Sequence, residues 1–229
     1  MRTTVWGRAP LAPRSGEAHD AATEVVMVAE TFGQTVNLLN RAKTAPSLID
    51  VPPLDFLMID GRGDPNRSPE YQPAVEAVYT LAYGLKFALK RRGAGELKVP
   101  PLEGLWWAED MASFNVVDRE PWRWTLMIAV PEPVTPADLA EAVGEAQRKG
   151  KTAAVTQVRL ERYHEGRCAQ ILHIGPYSAE PPTIERLHAF IAAQGYRLSG
   201  KHHEIYLGDP RRTAPEKLRT IIRQPVAPV

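Results

Sequence analysis

The chain has 229 residues, 44% of them hydrophobic and 24% charged, with a formal net charge of +1. That composition is ordinary for a globular protein and suffices for one good core or two small ones. It excludes the basic field that drives nucleic-acid binding, and no run approaches the ~20 apolar residues of a membrane helix.

A single cysteine, Cys168, cannot form an internal disulfide. A reducing compartment is therefore expected, hence a cytoplasmic location, with Cys168 a buried and inert strand residue. The six histidines do not combine with carboxylates at ligand spacing. No metal is expected. Lys90-Arg91-Arg92 and Arg211-Arg212 read as a helix end and a solvated loop.

In chain order, residues 1–50 read as an N-terminal extension. Its first 20 or so residues look disordered. Arg2, Arg8 and Arg14 precede the first acid, Glu17, but no continuous apolar stretch of signal-peptide length follows. Ala21, Val25, Val28, Phe32, Val36 and Leu39 recur at helical steps and predict a helix over about 21–43. The main domain is expected over 51–229. Leu54–Ile59 is an apolar run, hence a strand, broken by the glycines and proline of residues 61–66. Ser68-Pro69 reads as N-cap and first helical position. Val75, Val78, Tyr79, Ala82, Leu85 and Leu89 then stripe a helix that closes at Gly93. Strands are expected over about 102–107 and 122–130. A linker helix follows over about 136–149, with Thr135 as cap, Asp138 completing a capping box and Gly150 ending it.

The order then repeats: strands over about 152–163 and 168–174, a helix over about 182–194, strands over 202–207 and 218–222. The fold class is thus α+β. Two strand-helix-strand-strand (SHS2) modules, about 51–134 and 152–226, sit in pseudo-twofold arrangement with a cleft between them. Local echoes support the duplication: Ile59–Gly63 with Ile171–Gly175, Leu105-Trp106 with Ile205-Tyr206, and Pro133-Val134 with Pro225-Val226, each proline ending its module.

Strand alternation puts His202, Glu204 and Tyr206 on one face and His203, Ile205 and Leu207 on the other. A glutamate among apolar strand residues is unusual. Spacing alone leaves a solvated Glu204 as good a reading as a buried one. Aligning Trp106 with Tyr206 sets Gly104 against Glu204, so one half offers an acid and the other offers space beside an aromatic. The pocket is expected to hold one carboxylate, which argues against paired-carboxylate glycosidase chemistry. Trp106 is assigned to the pocket and Trp107 to the opposite face. Tyr79 and Tyr83 lie one turn apart on the first long helix. Tyr177, after Gly175-Pro176, is placed to cap a cleft. His173 reads as a hydrogen-bonded structural residue, and Leu172 joins the ligand-binding candidates. No Ser-His-Asp order, phosphate loop or dinucleotide fingerprint is present, so no cofactor is expected.

Several strings resemble the GyrI-like small-molecule-binding family, which also supplies effector-binding domains to AraC-type and MerR-type multidrug regulators. They are His173-Ile174-Gly175-Pro176-Tyr177 before a helix, and His203-Glu204-Ile205-Tyr206-Leu207-Gly208-Asp209-Pro210. Phe56–Asn66 and Arg211–Leu218 are similar to a stand-alone branch, the cyclopropanoid cyclohydrolases. The resemblance covers about Val51 to Val226. It implies two such modules with a buried acid at Glu204. It also implies an activity: water opens the cyclopropane of DNA-alkylating duocarmycin- and yatakemycin-type compounds, giving detoxification and antibiotic resistance. Trp106, Tyr206 and Tyr177 would hold the flat substrate. Glu204 would act on the attacking water, and Tyr177, with Tyr79 behind it, would donate to the developing phenolate. The alternatives are a non-catalytic binder of aromatic, often cationic, molecules and a gyrase-inhibitor-like protein-binding module. Neutral charge disfavours the gyrase reading. The expected partner is an aromatic small molecule, with no nucleic acid and no membrane, and a homodimer is left open.

Overall fold

Long runs of Val, Ile, Leu and Trp suit strands buried on at least one face. The computed structural model describes residues 31–93, 98–110, 118–132 and 134–229. Within them, helix α1 (31–39) is followed by β1 (Ser47–Val51), β2 (Leu54–Arg62), α2 (Tyr71–Arg91), β3 (Leu102–Trp107), β4 (Arg123–Val130) and α3 (Pro136–Arg148). Then come β5 (Arg159–Tyr163), β6 (Gly166–Ile174), α4 (Pro181–Ala193), β7 (Tyr196–Leu198), β8 (His202–Tyr206) and β9 (Arg219–Pro228).

The sheet is antiparallel throughout, in the order β1-β6-β9-β8-β3-β4-β2-β5, with β7 also on β9. The units β2-α2-β3-β4 and β6-α4-β8-β9 lie in it as mirror sequences of strand order, joined where β3 pairs with β8. Gly104 pairs with Glu204 at that join. The same two positions are equivalent in the repeat, so the pseudo-twofold axis passes between them. The edges are exchanged. β1, which precedes the first unit, pairs with β6 of the second, and β5, which precedes the second, pairs with β2 of the first.

Alternation fixes what each face carries. On one face α2 buries Ala74, Val78, Leu81, Leu85 and Leu89. Beside it α4 packs Leu187 and Ile191 on Ala169, Ile171, Ile222 and Val226. Trp124 is fully buried there and lies over Gly61, where an added Cβ would fall 2.0 Å from its ring. On the opposite face α1 packs Leu39 against Val51 and Cys168. Cys168 is buried and unreactive as expected, with burial and the charge of Glu165 both holding its thiol protonated.

Several boundaries differ from expectation. Strands β1 and β7 are set by pairing with β6 and β9 and not by a local period. The stretch before β5 is a 3-10 turn, Ala153–Gln157, not strand. Ser68 does not cap α2. The N-cap is Glu70, because Asp64–Ser68 closes its own turn first, through Ser68 N to Asp64 O at 2.7 Å. Pro225 does not end β9, which runs on to Pro228. The proline lies past the last β8 pair, where no ladder donor is required on that side. Pro133 and residues 1–30, including most of the expected first helix, lie outside the described residues. The capping box of α3 is as expected: Thr135 Oγ1 accepts from Asp138 N at 3.2 Å and Asp138 Oδ2 accepts from Thr135 N at 2.9 Å. An Arg92–Asp138 ion pair ties α3 to the end of α2, so the connecting helix is also packed.

Under α1 lies a buried charge cluster. Both ring nitrogens of His203 donate, to Glu165 Oε1 at 2.8 Å and Glu103 Oε2 at 3.0 Å. Arg223 donates to Glu165 Oε2 at 3.2 Å, to Gln170 Oε1 at 3.1 Å and to the carbonyl of Leu39 at 3.0 Å. Two acids thus meet two cations, and the Leu39 contact fastens the end of α1.

Candidate functional site

A cleft of about 1450 Å³ opens between α2 and α4, over the seam where β3 meets β8. Its floor comes from Trp106, His202, Glu204 and Tyr206, and its walls from Tyr71 and Tyr79 of α2 and from Glu180, Ile184 and His188 at α4. Tyr177 and Arg119 sit at its margin.

Glu204 is held at the floor by two neighbours on its own strand. Tyr206 Oη donates to Oε2 at 2.8 Å, and His202 Nε2 lies 3.1 Å from Oε1. Alternation with period two brings all three to one face. The Glu204 side chain is only 15% exposed, which settles the choice between solvated and buried. Tyr206 in turn accepts from Trp106 Nε1 at 3.1 Å, so indole, phenol and carboxylate form one chain across the seam. Burial and then the charge of Glu204 raise the Tyr206 phenol well above its ordinary value, so it stays a donor.

The aromatic walls pack edge to face. Tyr177 meets Tyr206 with ring centroids 5.7 Å apart at 76°, and Trp106 meets Trp122 at 5.7 Å and 63°. Tyr71 lies against both Trp106 and Trp124. Burial, then the charges of Glu180 and Glu204, push the Tyr177 hydroxyl up to about 12.

Of the expected site residues, Glu204, Tyr206, Trp106, Tyr79 and Tyr177 line this cleft together. Leu172 does not. It pairs with Ile221 and packs with Ile205 on the opposite face, one residue out of phase with the site. Gly104 offers no open space either. An added Cβ would lie 2.8 Å from Trp106 Nε1 and 3.1 Å from Tyr206 Oη, so the glycine is the seat on which those two groups cross. Gly104→Ala is expected to displace them at an overpacking cost of about 1–3 kcal/mol. Aromatic ligand affinity should fall at least tenfold by fluorescence titration while thermal unfolding stays cooperative. Trp107 faces away as expected, under Lys201 Nζ at 3.4 Å from its ring centroid. His173 is structural as expected, bonded to Thr183 Oγ1 at 3.0 Å and the Pro176 carbonyl at 3.3 Å.

The expectation of a lone carboxylate is overturned. Glu180 is 5% exposed and lines the same cleft. Burial first, and then the charge of Glu204, push it up to about 9 against the pull of Thr220 and Arg119. Tyr71 and His188 were also missed. His188 is held neutral by burial and by His202. No local pattern marks Glu180. Glu70 and Glu180 are the matching N-caps of α2 and α4, neither with a side-chain cap bond, but Glu70 is exposed. Among the described residues no group of His, Cys, Asp or Glu is arranged to hold a metal ion.

A two-module antiparallel sheet with an aromatic cleft on its seam is the architecture of a small-molecule-binding domain. The chain belongs to the GyrI-like family: the GyrI-like small molecule binding domain matches residues 44–227. It is similar to an uncharacterized conserved protein from Listeria innocua, at 40% identity over 83% of this chain and 96% of that one, with TM-score 0.78. A hydrolase from Listeria innocua is 40% identical over the same shares, with TM-score 0.75. Another Listeria innocua protein described as a hydrolase is 38% identical over 86% of this chain and 98% of that one, with TM-score 0.75. No curated protein matches the chain. No helix among the described residues is long and apolar enough to cross a membrane.

Proposed function

We propose that the protein is a hydrolase that opens the cyclopropane ring of flat, aromatic, DNA-alkylating cyclopropanoids by adding water. The observation that carries this reading is Glu204, a carboxylate fixed by Tyr206 and His202 on the floor of an aromatic cleft. Similarity at 38–40% identity to two proteins described as hydrolases supports it. Trp106, Tyr206 and Tyr79 offer ring edges and faces to a planar ligand. Glu204 takes a proton from water as the water oxygen bonds to the cyclopropane methylene. The strained C–C bond breaks, and its electron pair moves through the conjugated dienone onto the carbonyl oxygen. Tyr177, whose hydroxyl keeps its proton, donates a hydrogen bond to that oxygen.

A sequestering site for cations is the second reading, favoured by Glu180, Glu185, Glu204 and Asp209, which line the cleft alongside Arg67, Arg119 and Arg211. Purified protein incubated with a duocarmycin-type compound should convert it to a product heavier by one water. Tight binding with the compound recovered unchanged would overturn the hydrolase reading.

A further inference from the structure

The cleft holds a buried carboxyl that the mechanism above leaves unused. Glu180 stands at the turn into α4, with its backbone N–H bonded to Tyr177 O at 3.2 Å. Glu180 is 95% withdrawn from solvent, and the Thr220 hydroxyl lies near its carboxyl without being aligned to hydrogen-bond Oε1. A buried carboxyl oxygen without a partner is costly unless something else serves it, and this one borders the space a ligand would occupy. The charged groups that act on it come from several elements: Glu204 of β8 raises its proton affinity, while Arg119 and the Thr220 hydroxyl of β9 lower it. Tyr177 and Tyr206 feel its charge in return, and His188, two turns into α4, is held neutral.

We propose that Glu180 is the catalytic acid of this cleft. It delivers a proton to the oxygen on which negative charge develops, while Glu204 takes one from water. This rests on the hydrolase reading. The protons balance. Water gives H⁺ to Glu204 and its hydroxyl to the methylene carbon, the ring C–C bond breaks toward the dienone, and Glu180 protonates the carbonyl oxygen to a phenol. Glu204 then holds the proton that Glu180 lost. It returns through cleft water, restoring both groups with one water consumed. Two carboxyls held in unlike surroundings of one cavity, Glu180 buried beside α4 and Glu204 bonded to Tyr206 and His202, is the arrangement that divides acid from base. Tyr177 is unsuited to this step. With its hydroxyl pushed up to about 12, it holds its own proton more tightly than a product phenol does and serves as a hydrogen-bond donor only.

Glu180→Gln tests this with a duocarmycin-type compound across pH 6 to 10. Wild type should show kcat falling on the alkaline side, near pH 9, as Glu180 loses its proton. In Glu180→Gln, kcat should drop roughly 100-fold with KM within about threefold, and the alkaline limb should vanish. Its melting temperature above pH 8 should equal or exceed that of wild type, because an ionised orphan carboxylate has been removed. A variant as active as wild type, or one that keeps the limb, overturns the assignment and leaves the hydrolase reading standing. No turnover by wild type overturns both. If Glu180→Gln fails to fold, the wild-type profile decides: kcat flat through pH 9 overturns the assignment.

Discussion

Glu204→Gln should lower the rate of ring opening by roughly 10²–10⁴-fold with little change in KM for a neutral substrate. The glutamine is nearly isosteric. It retains one oxygen that can accept from Tyr206 or His202, so the cleft floor keeps its shape. What it loses is the ability to take a proton from water. A loss confined to kcat is the signature of a group that acts in the transition state. If the cleft instead neutralised a bound cation, the same substitution would act on affinity. Wild type would then show no turnover, and a cationic aromatic probe would bind at least tenfold more weakly to the variant. Steady-state kinetics with the cyclopropanoid, beside calorimetry with the cation, separate the two. A variant that turns over at the wild-type rate would remove Glu204 from the chemistry altogether.

Much of the sheet was legible because both periods were clean. The strand 102–107 was placed without error, α3 came with its capping box, and the repeat placed Gly104 against Glu204, the pair that the β3–β8 register brings together. Short edge strands were not legible. Ser47–Val51 and Tyr196–Leu198 are set by pairing with β6 and β9, a tertiary cause with little local signature. Nor was the 3-10 turn at 153–157, whose Ala-Ala-Val-Thr-Gln composition passes equally for a strand end.

For the site, alternation found what lies on β3 and β8 and failed for what the helices bring. Glu204, Tyr206 and Trp106 follow from period two. Glu180 does not. Its burial depends on how α4 seats over β9, while its equivalent Glu70 is exposed. Leu172 failed for a one-residue phase error, since neighbouring positions on a strand face opposite ways. The cluster on the far face was read only as His203 pointing away. Its partners Glu103, Glu165 and Arg223 come from three other segments, which no local pattern joins.

That cluster yields the largest expected effect on stability. Glu165→Gln should cost about 3–5 kcal/mol near neutral pH, because it leaves Arg223 and protonated His203 buried with less opposing charge. In wild type, burial alone would lower the proton affinity of His203, but Glu165 and Glu103 overcome it and raise its pKa from 6.5 to about 9. Glu165 is lowered, its burial outweighed by His203 and Arg223. The signs follow from linkage. A raised histidine stabilises fully below pH 6.5, and that stabilisation, about 3 kcal/mol, drains away as pH rises through 9. The lowered Glu165 contributes above its unfolded pKa and is lost only in acid. Glu180, raised from 4.5 to about 9, adds a second loss between those values. Urea unfolding from pH 6 to 10 should therefore show wild-type stability falling toward pH 9. In Glu165→Gln, His203 loses its strongest partner and sheds its proton earlier, so the curve starts lower and falls less steeply. In Glu180→Gln the slope should also shrink, but with no loss at neutral pH. Parallel curves for wild type and Glu165→Gln would show that His203 is not charged in the folded protein.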